Sequence, residues 1–156
     1  MIAIIKAKNI VKNMGLEPPI DPVEVANNLG LSVVQIDMSS SKDYYDVAGY
    51  IDLESNKIII NKDQTSARKS FTVAHEIGHF LLHKTKIEND GEYHTLYRKD
   101  LYQSIHSMQR EASRFAEHLL VPDDALIIHK NFPNPVLASL FQVSQQLISI
   151  RKKVGW

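Results

Sequence analysis

The sequence predicts an α+β domain, and three observations carry that expectation. Strand-like segments lie together between residues 31 and 61, helix-like segments flank them on both sides, and no internal repeat interrupts the pattern. The chain has 156 residues, 44% hydrophobic and 23% charged. This is ordinary globular usage and excludes a disordered, collagen-like or coiled-coil chain. One domain over residues 1–156 is expected at this length.

Each element has a local reason. Ile4, Ala7, Val11 and Met14 recur at helical spacing, Gly15 closes that helix, and Pro18-Pro19 break the chain. A second helix starts at Asp21-Pro22-Val23-Glu24, with Asp21 as N-cap, Pro22 in the first helical position, Glu24 completing a capping box and Gly30 as the stop. Leu31 to Met38, rich in β-branched and apolar residues, reads as a buried strand, and Ser39 to Asp46 as a loop. Val47 to Leu53 and Lys57 to Asn61 flank Glu54-Ser55-Asn56 and read as a hairpin with a three-residue connection. Ser66 to about Lys84 reads as a helix, apolar nearly all round and therefore buried. The polar segment Lys84 to Gln109 reads as a long loop with a short helix near its end. Met108, Ala112, Phe115, Ala116, Leu119 and Leu120 then mark a strongly amphipathic helix that Pro122 ends. Asp123-Asp124 caps a short helix, and two last helices, Pro135 to Phe141 and Ser144 to Val154, are joined by Gln142-Val143.

Charge and composition narrow the function classes. Lys+Arg 18 against Asp+Glu 18 gives zero net charge, without the basic excess of a chain that neutralises phosphates. Direct DNA binding is therefore not expected. With no cysteine, a disulfide framework, a thiol nucleophile and thiolate metal ligands are all excluded. Lys6, Lys8 and Lys12 interrupt the apolar N-terminus before signal-peptide length, and no segment reaches the ~18 apolar residues of a membrane span. The expected address is the cytoplasm.

His75-Glu76-Ile77-Gly78-His79 is the segment that carries chemistry. On a helix, His75 and His79 differ by about 40° and one turn, so both imidazoles can meet one ion. Glu76 falls about 60° beyond His79, beside such an ion rather than on it. Zinc lowers the pKa of water from 15.7 to about 7, and a neighbouring carboxylate can take that proton and pass it to a leaving amine. The alternative, two core-edge histidines bonded to backbone, would leave an idle glutamate among Phe71, Val73, Ala74, Phe80, Leu81 and Leu82, where burial is costly.

A catalytic zinc takes three protein ligands and keeps one position open. Leu82 and Thr85 stand where an HExxHxxGxxH motif would have its glycine and third histidine. His83 lies about 12 Å along the axis from His75, too far for three rings of one helix to share an ion. Nearby candidates are His106, Glu111, Glu117 and His118. On the helical wheel Glu111 borders the apolar arc near Phe115, Glu117 falls in the polar sector, His118 lies two turns further on, and His106 precedes the periodic pattern. Glu111 is the expected third ligand.

Arg68 to His83, RKSFTVAHEIGHFLLH, and Glu111 to Pro122, EASRFAEHLLVP, together resemble the two main blocks of the ImmA/IrrE family of metallopeptidases. The likeness extends more loosely to PIDPVEVANNLGLSV, AGYIDLESNKIIIN and LASLFQVSQQLISIRKK; Ser113 stands where an asparagine is common, and residues 84–110 follow no recognisable pattern. The resemblance implies a small zincin-like domain and a zinc endopeptidase. Its implied substrate is a helix-turn-helix repressor of a mobile element or a stress response. A non-cleaving, metal-binding regulatory module that binds a repressor or DNA is the rival expectation.

Weaker signals remain. Pro135 to Val154 has the outline of a helix-turn-helix, with Gln145, Gln146, Ser149, Lys152 and Lys153 as its DNA-facing candidates; the expected reading is helices packed on the domain or gripping a protein. Tyr93, His94, Tyr97 and Arg98 are candidate donors to an oxyanion, against the plainer reading of a surface loop.

Overall fold

The computed structural model describes residues 1–42, 47–90 and 103–154. Its elements, in chain order, are α1 (Ile2–Asn13), α2 (Pro22–Asn28), β1 (Ser32–Ile36), β2 (Gly49–Asp52), β3 (Lys57–Asn61), α3 (Ser66–Asp90), α4 (Gln103–Leu120), α5 (Asp123–His129), α6 (Asn134–Phe141) and α7 (Gln145–Val154). The fold is α+β, with a small sheet, a central buried helix and a helical C-terminal region.

Helices α1 and α2 end where the glycines stand. Gly15 and Gly30 have φ of 61° and 83°. After α1, the Leu16 N–H bonds the Val11 carbonyl and the Gly15 N–H that of Lys12; after α2 the same pattern runs from Leu31 to Ala26 and from Gly30 to Asn27. These are Schellman caps, which need a left-handed residue just past the helix. Asp21 caps α2 by accepting from the Val23 N–H at 2.9 Å.

The sheet order is β1-β3-β2, with β1 parallel and β2 antiparallel to β3. Ile58, Ile59 and Ile60 make β3 the buried strand. Ile58 and Ile60 join the main core, while Ile59 packs with Met38 and Val47 on the opposite face. The strand expected to be buried, Leu31 to Met38, is instead an edge: Leu31 and Met38 are buried at its flanks, but Ser32–Ile36 is half-buried or exposed. β-Branched content reports a strand, whereas burial depends on how many neighbours it has in the sheet. The hairpin connection has four residues rather than three, since Asp52 pairs with Lys57. Asp52 Oδ1 accepts from the N–H of Glu54 at 3.1 Å, and Asn56 takes the positive φ of 54°.

Most of the expected long loop is helix. α3 continues to Asp90 and α4 begins at Gln103. Polar residues can extend a helix whose apolar face is already docked, and buried Ile87 and Met108 show that docking continues there. α3 is the hub, packed against β2, β3 and α2 on one side and α4 on the other; α1 lies on α4, and α7 reaches α4 from the C-terminal end.

Candidate metal centre

Close approach of α3 and α4 makes this centre. A Cβ on Gly78 would stand 3.0 Å from the Ala112 carbonyl oxygen and 3.1 Å from its Cα, so the missing side chain lets the backbones meet. One turn either side of that contact, α4 side chains reach the imidazoles of α3.

His75 and His79 bring their Nε2 atoms within 3.1 Å of each other. Gln109 places Oε1 2.6 Å from His75 Nε2 and 3.0 Å from His79 Nε2. Ser113 Oγ lies 3.1 Å from His75 Nδ1. On the other side, His79 Nδ1 faces His83 Nδ1 at 2.9 Å, and His83 Nε2 faces Glu111 Oε2 at 3.1 Å. Burial pushes the His75 imidazole down to about 4 and His79 well below its ordinary value, so both rings are held neutral. Neutral imidazoles are the form that binds cations.

The expected third ligand is elsewhere. Glu111 is turned to His83, with its side chain 53% exposed, and does not reach the Nε2 pair. Among the described residues, no three His, Asp or Glu side chains gather at one point fit for a metal. The apolar arc of α4 has two polar borders, and Glu111 stands at the one away from the Nε2 pair. Taking Glu111 as zero, Gln109, Ser113 and Glu117 fall at about 160°, 200° and 240°, one stripe along the other border. Gln109 escaped notice because glutamine is not a usual zinc ligand. Its signal was an amide lying in the apolar sector, which demands a partner.

The other candidates divide. Glu117 does not point to water: its side chain is 12% exposed, burial raises its carboxyl above the ordinary range, and it lines the cavity beside His75. His118 is buried near Asp123 on the far side of α4, not beside the pair, and His106 is exposed. Tyr93, His94, Tyr97 and Arg98 lie outside the described residues.

Glu76, only 1% exposed, shares with His75 the wall of a cavity of about 600 Å³. Ala48 and Gly49 of the β2 side form another wall, and Leu147 and Ile150 of α7 close it. Of the residues considered for DNA, Gln146 lines this cavity, Ser149 accepts from Asn134 Nδ2 at 3.1 Å, and Lys152 donates to Asn134 Oδ1 at 2.7 Å. α7 thus spends its polar face inside the molecule.

The sequence profile of the IrrE N-terminal-like domain, the peptidase M78 family, matches residues 26–153. The chain belongs to this family. A curated relative is the uncharacterized immunity region protein 2 of Bacillus phage phi105, 27% identical over 113 residues, which are 71% of this chain and 65% of the phage protein. The match therefore spans just under two thirds of that relative. Among solved structures, a Mycobacterium tuberculosis transcriptional regulator aligns over 94% of this chain and 45% of its own, with a TM-score of 0.66 and 14% identity. Likeness at that identity concerns the fold. Within this M78 chain, no described helix is long and apolar enough to cross a membrane.

Proposed function

We propose that this M78 chain is a zinc endopeptidase, a single unit over residues 1–156, that cuts a helix-turn-helix repressor of a mobile element or a stress response. One observation carries the reading: two neutral imidazoles aim Nε2 atoms at one point, 3.1 Å apart, beside a cavity that the buried Glu76 shares. The donors fit a small cation. Zinc about 2.0–2.1 Å from each nitrogen holds tetrahedral neighbours roughly 3.3 Å apart, so the pair needs only a few tenths of an ångström of opening.

When bound, zinc polarises a carbonyl oxygen and acidifies water. His75 and His79 hold it, and Ser113 orients the His75 ring through Nδ1. Glu76 acts as general base, taking a proton from the attacking water, and then as general acid, returning it to the leaving nitrogen. An extended peptide pairs with β2, which has β3 on one side only and whose Gly49 lines the cavity. The family and the immunity-region name of the phage relative support a repressor as substrate, and action on a repressor sets the reaction in the cytoplasm.

The experiment is incubation of the zinc-loaded protein with the product of a neighbouring regulator gene, followed by mass spectrometry. Discrete fragments with the parent and none with Glu76→Gln are expected; an intact regulator overturns the reading. A neutral amide beside the histidines, where a carboxylate was expected, favours a second reading: a metal-binding module that holds a repressor or DNA without cutting. That reading expects a stable complex and no fragments.

A further inference from the structure

We propose that Gln109 Oε1 is the third protein donor to the metal at His75 and His79, and that Glu111 acts at one remove through His83. The inference rests on the metal reading above and names a ligand set different from the one that sequence reasoning favours.

Geometry supplies the first argument. Gln109 Oε1 is 2.6 Å and 3.0 Å from the two Nε2 atoms, so three donor atoms face one point. Gln109 sits one turn before Ser113, which already touches His75, and the Gly78–Ala112 contact fixes that register.

Proton bookkeeping supplies the second. An ionised Glu111 only accepts hydrogen bonds, so His83 Nε2 carries the proton that faces it at 3.1 Å. A neutral His83 then offers a lone pair on Nδ1, and His79 donates to it from Nδ1 across 2.9 Å. His79 Nε2 is left as an acceptor pointing at the acceptor Gln109 Oε1. On His75, Nδ1 faces the Ser113 hydroxyl, which accepts its proton and leaves Nε2 in the same state. Three acceptors within 3.1 Å of one another repel unless a cation lies among them. Glu111, through His83, thus selects the His79 tautomer that binds metal.

The donor set carries no formal charge, whereas two histidines and a carboxylate would carry one negative charge. The full-length protein therefore binds zinc more weakly than its Gln109→Glu variant.

Zinc affinity measured by calorimetry, with the visible spectrum of the cobalt-substituted protein, tests this in the parent and in Gln109→Glu, Gln109→Ala and Glu111→Gln. Gln109→Glu should tighten zinc binding roughly tenfold or more and Gln109→Ala should weaken it comparably, because donor number and charge tune metal affinity over decades. Both should shift the cobalt bands. Glu111→Gln should weaken binding with the band positions kept, because the donor atoms stay the same. Parent-like affinity and spectrum in both Gln109 variants would overturn the inference while sparing the metal reading, and a band shift in Glu111→Gln would return Glu111 to the metal. If neither the parent nor Gln109→Glu binds zinc or cobalt, both readings fall.

Discussion

Glu76 and His118 show how one kind of burial serves different ends. Glu76 is enclosed beside the imidazole pair, and its carboxylate has work to do on a proton in transit. Glu76→Gln keeps the shape and is not a ligand change, so zinc content by elemental analysis should match the parent while fragment formation falls by about 10²–10⁴. Equal cutting rates would remove Glu76 from the chemistry. His118 does no such work. Burial, helped by the Arg151 charge, pushes its imidazole down to about 4 from 6.5. The unfolded chain therefore binds a proton that the folded chain refuses between those values. Stability is complete above pH 6.5 and falls as the pH drops toward 4, by on the order of 1 kcal/mol per pH unit at most. Melting curves of the metal-free protein at pH 7.5 and pH 5 should show this slope, and His118→Gln should flatten it; an unchanged slope would assign the effect to other groups.

At the scale of elements, the decisive contact is α3 against α4 at Gly78. Alanine there gains about 1 kcal/mol of helix propensity. Its Cβ, however, would press on Ala112 backbone atoms 3.0 and 3.1 Å away, which cannot rotate aside. Overpacking costs about 1–3 kcal/mol, so we expect Gly78→Ala to lower stability and, by moving Gln109 and Ser113 outward, to loosen zinc. A more stable variant with parent-like zinc affinity would mean that the helices have room to spare. Gly49 plays the same part for the sheet, since a Cβ there would stand 2.7 Å from Thr72 Cγ2 and 2.9 Å from the Ile59 carbonyl oxygen. Both glycines let backbone approach α3, one from each side of the centre.

Across the whole molecule, distant chain segments converge on one buried charge cluster. Arg151 of α7 is fully buried, donates to the Val121 carbonyl from Nε at 3.1 Å and Nη2 at 3.0 Å, and pairs with Asp123. Asp123 also meets Lys8 of α1 at 2.7 Å. The cluster ties α1, α5 and α7 to the end of α4, whose other end carries Gln109. A metal bound between α3 and α4 should therefore stabilise the fold as a unit. At a free zinc concentration 100 times Kd the gain is about 2.7 kcal/mol. For a chain of this size, that corresponds to roughly 5–10 °C in melting temperature. Removing metal with a chelator should reverse the shift; identical melting curves with and without zinc would show that the ion does not bind the native state preferentially.

Local chemistry wrote much of this plainly into the sequence. The caps at Asp21, Gly15 and Gly30, the hairpin strands, the helix over His75–His79 and the amphipathic face of α4 all rest on short-range periodicity and backbone preference, which act the same way in any surroundings. His75 and His79 share a helix, so their convergence follows from 3.6 residues per turn. Tertiary structure alone decided what required two elements to meet. It made β1 an edge and β3 the buried strand, because burial in a sheet depends on neighbours. It carried α3 and α4 into the polar segment, because docking outweighs weak propensity. It chose which border of α4 faces the imidazoles, because a helical wheel fixes angles around its own axis but says nothing of where the partner helix lies. That choice sent Glu111 to His83 and brought Gln109 to the histidine pair.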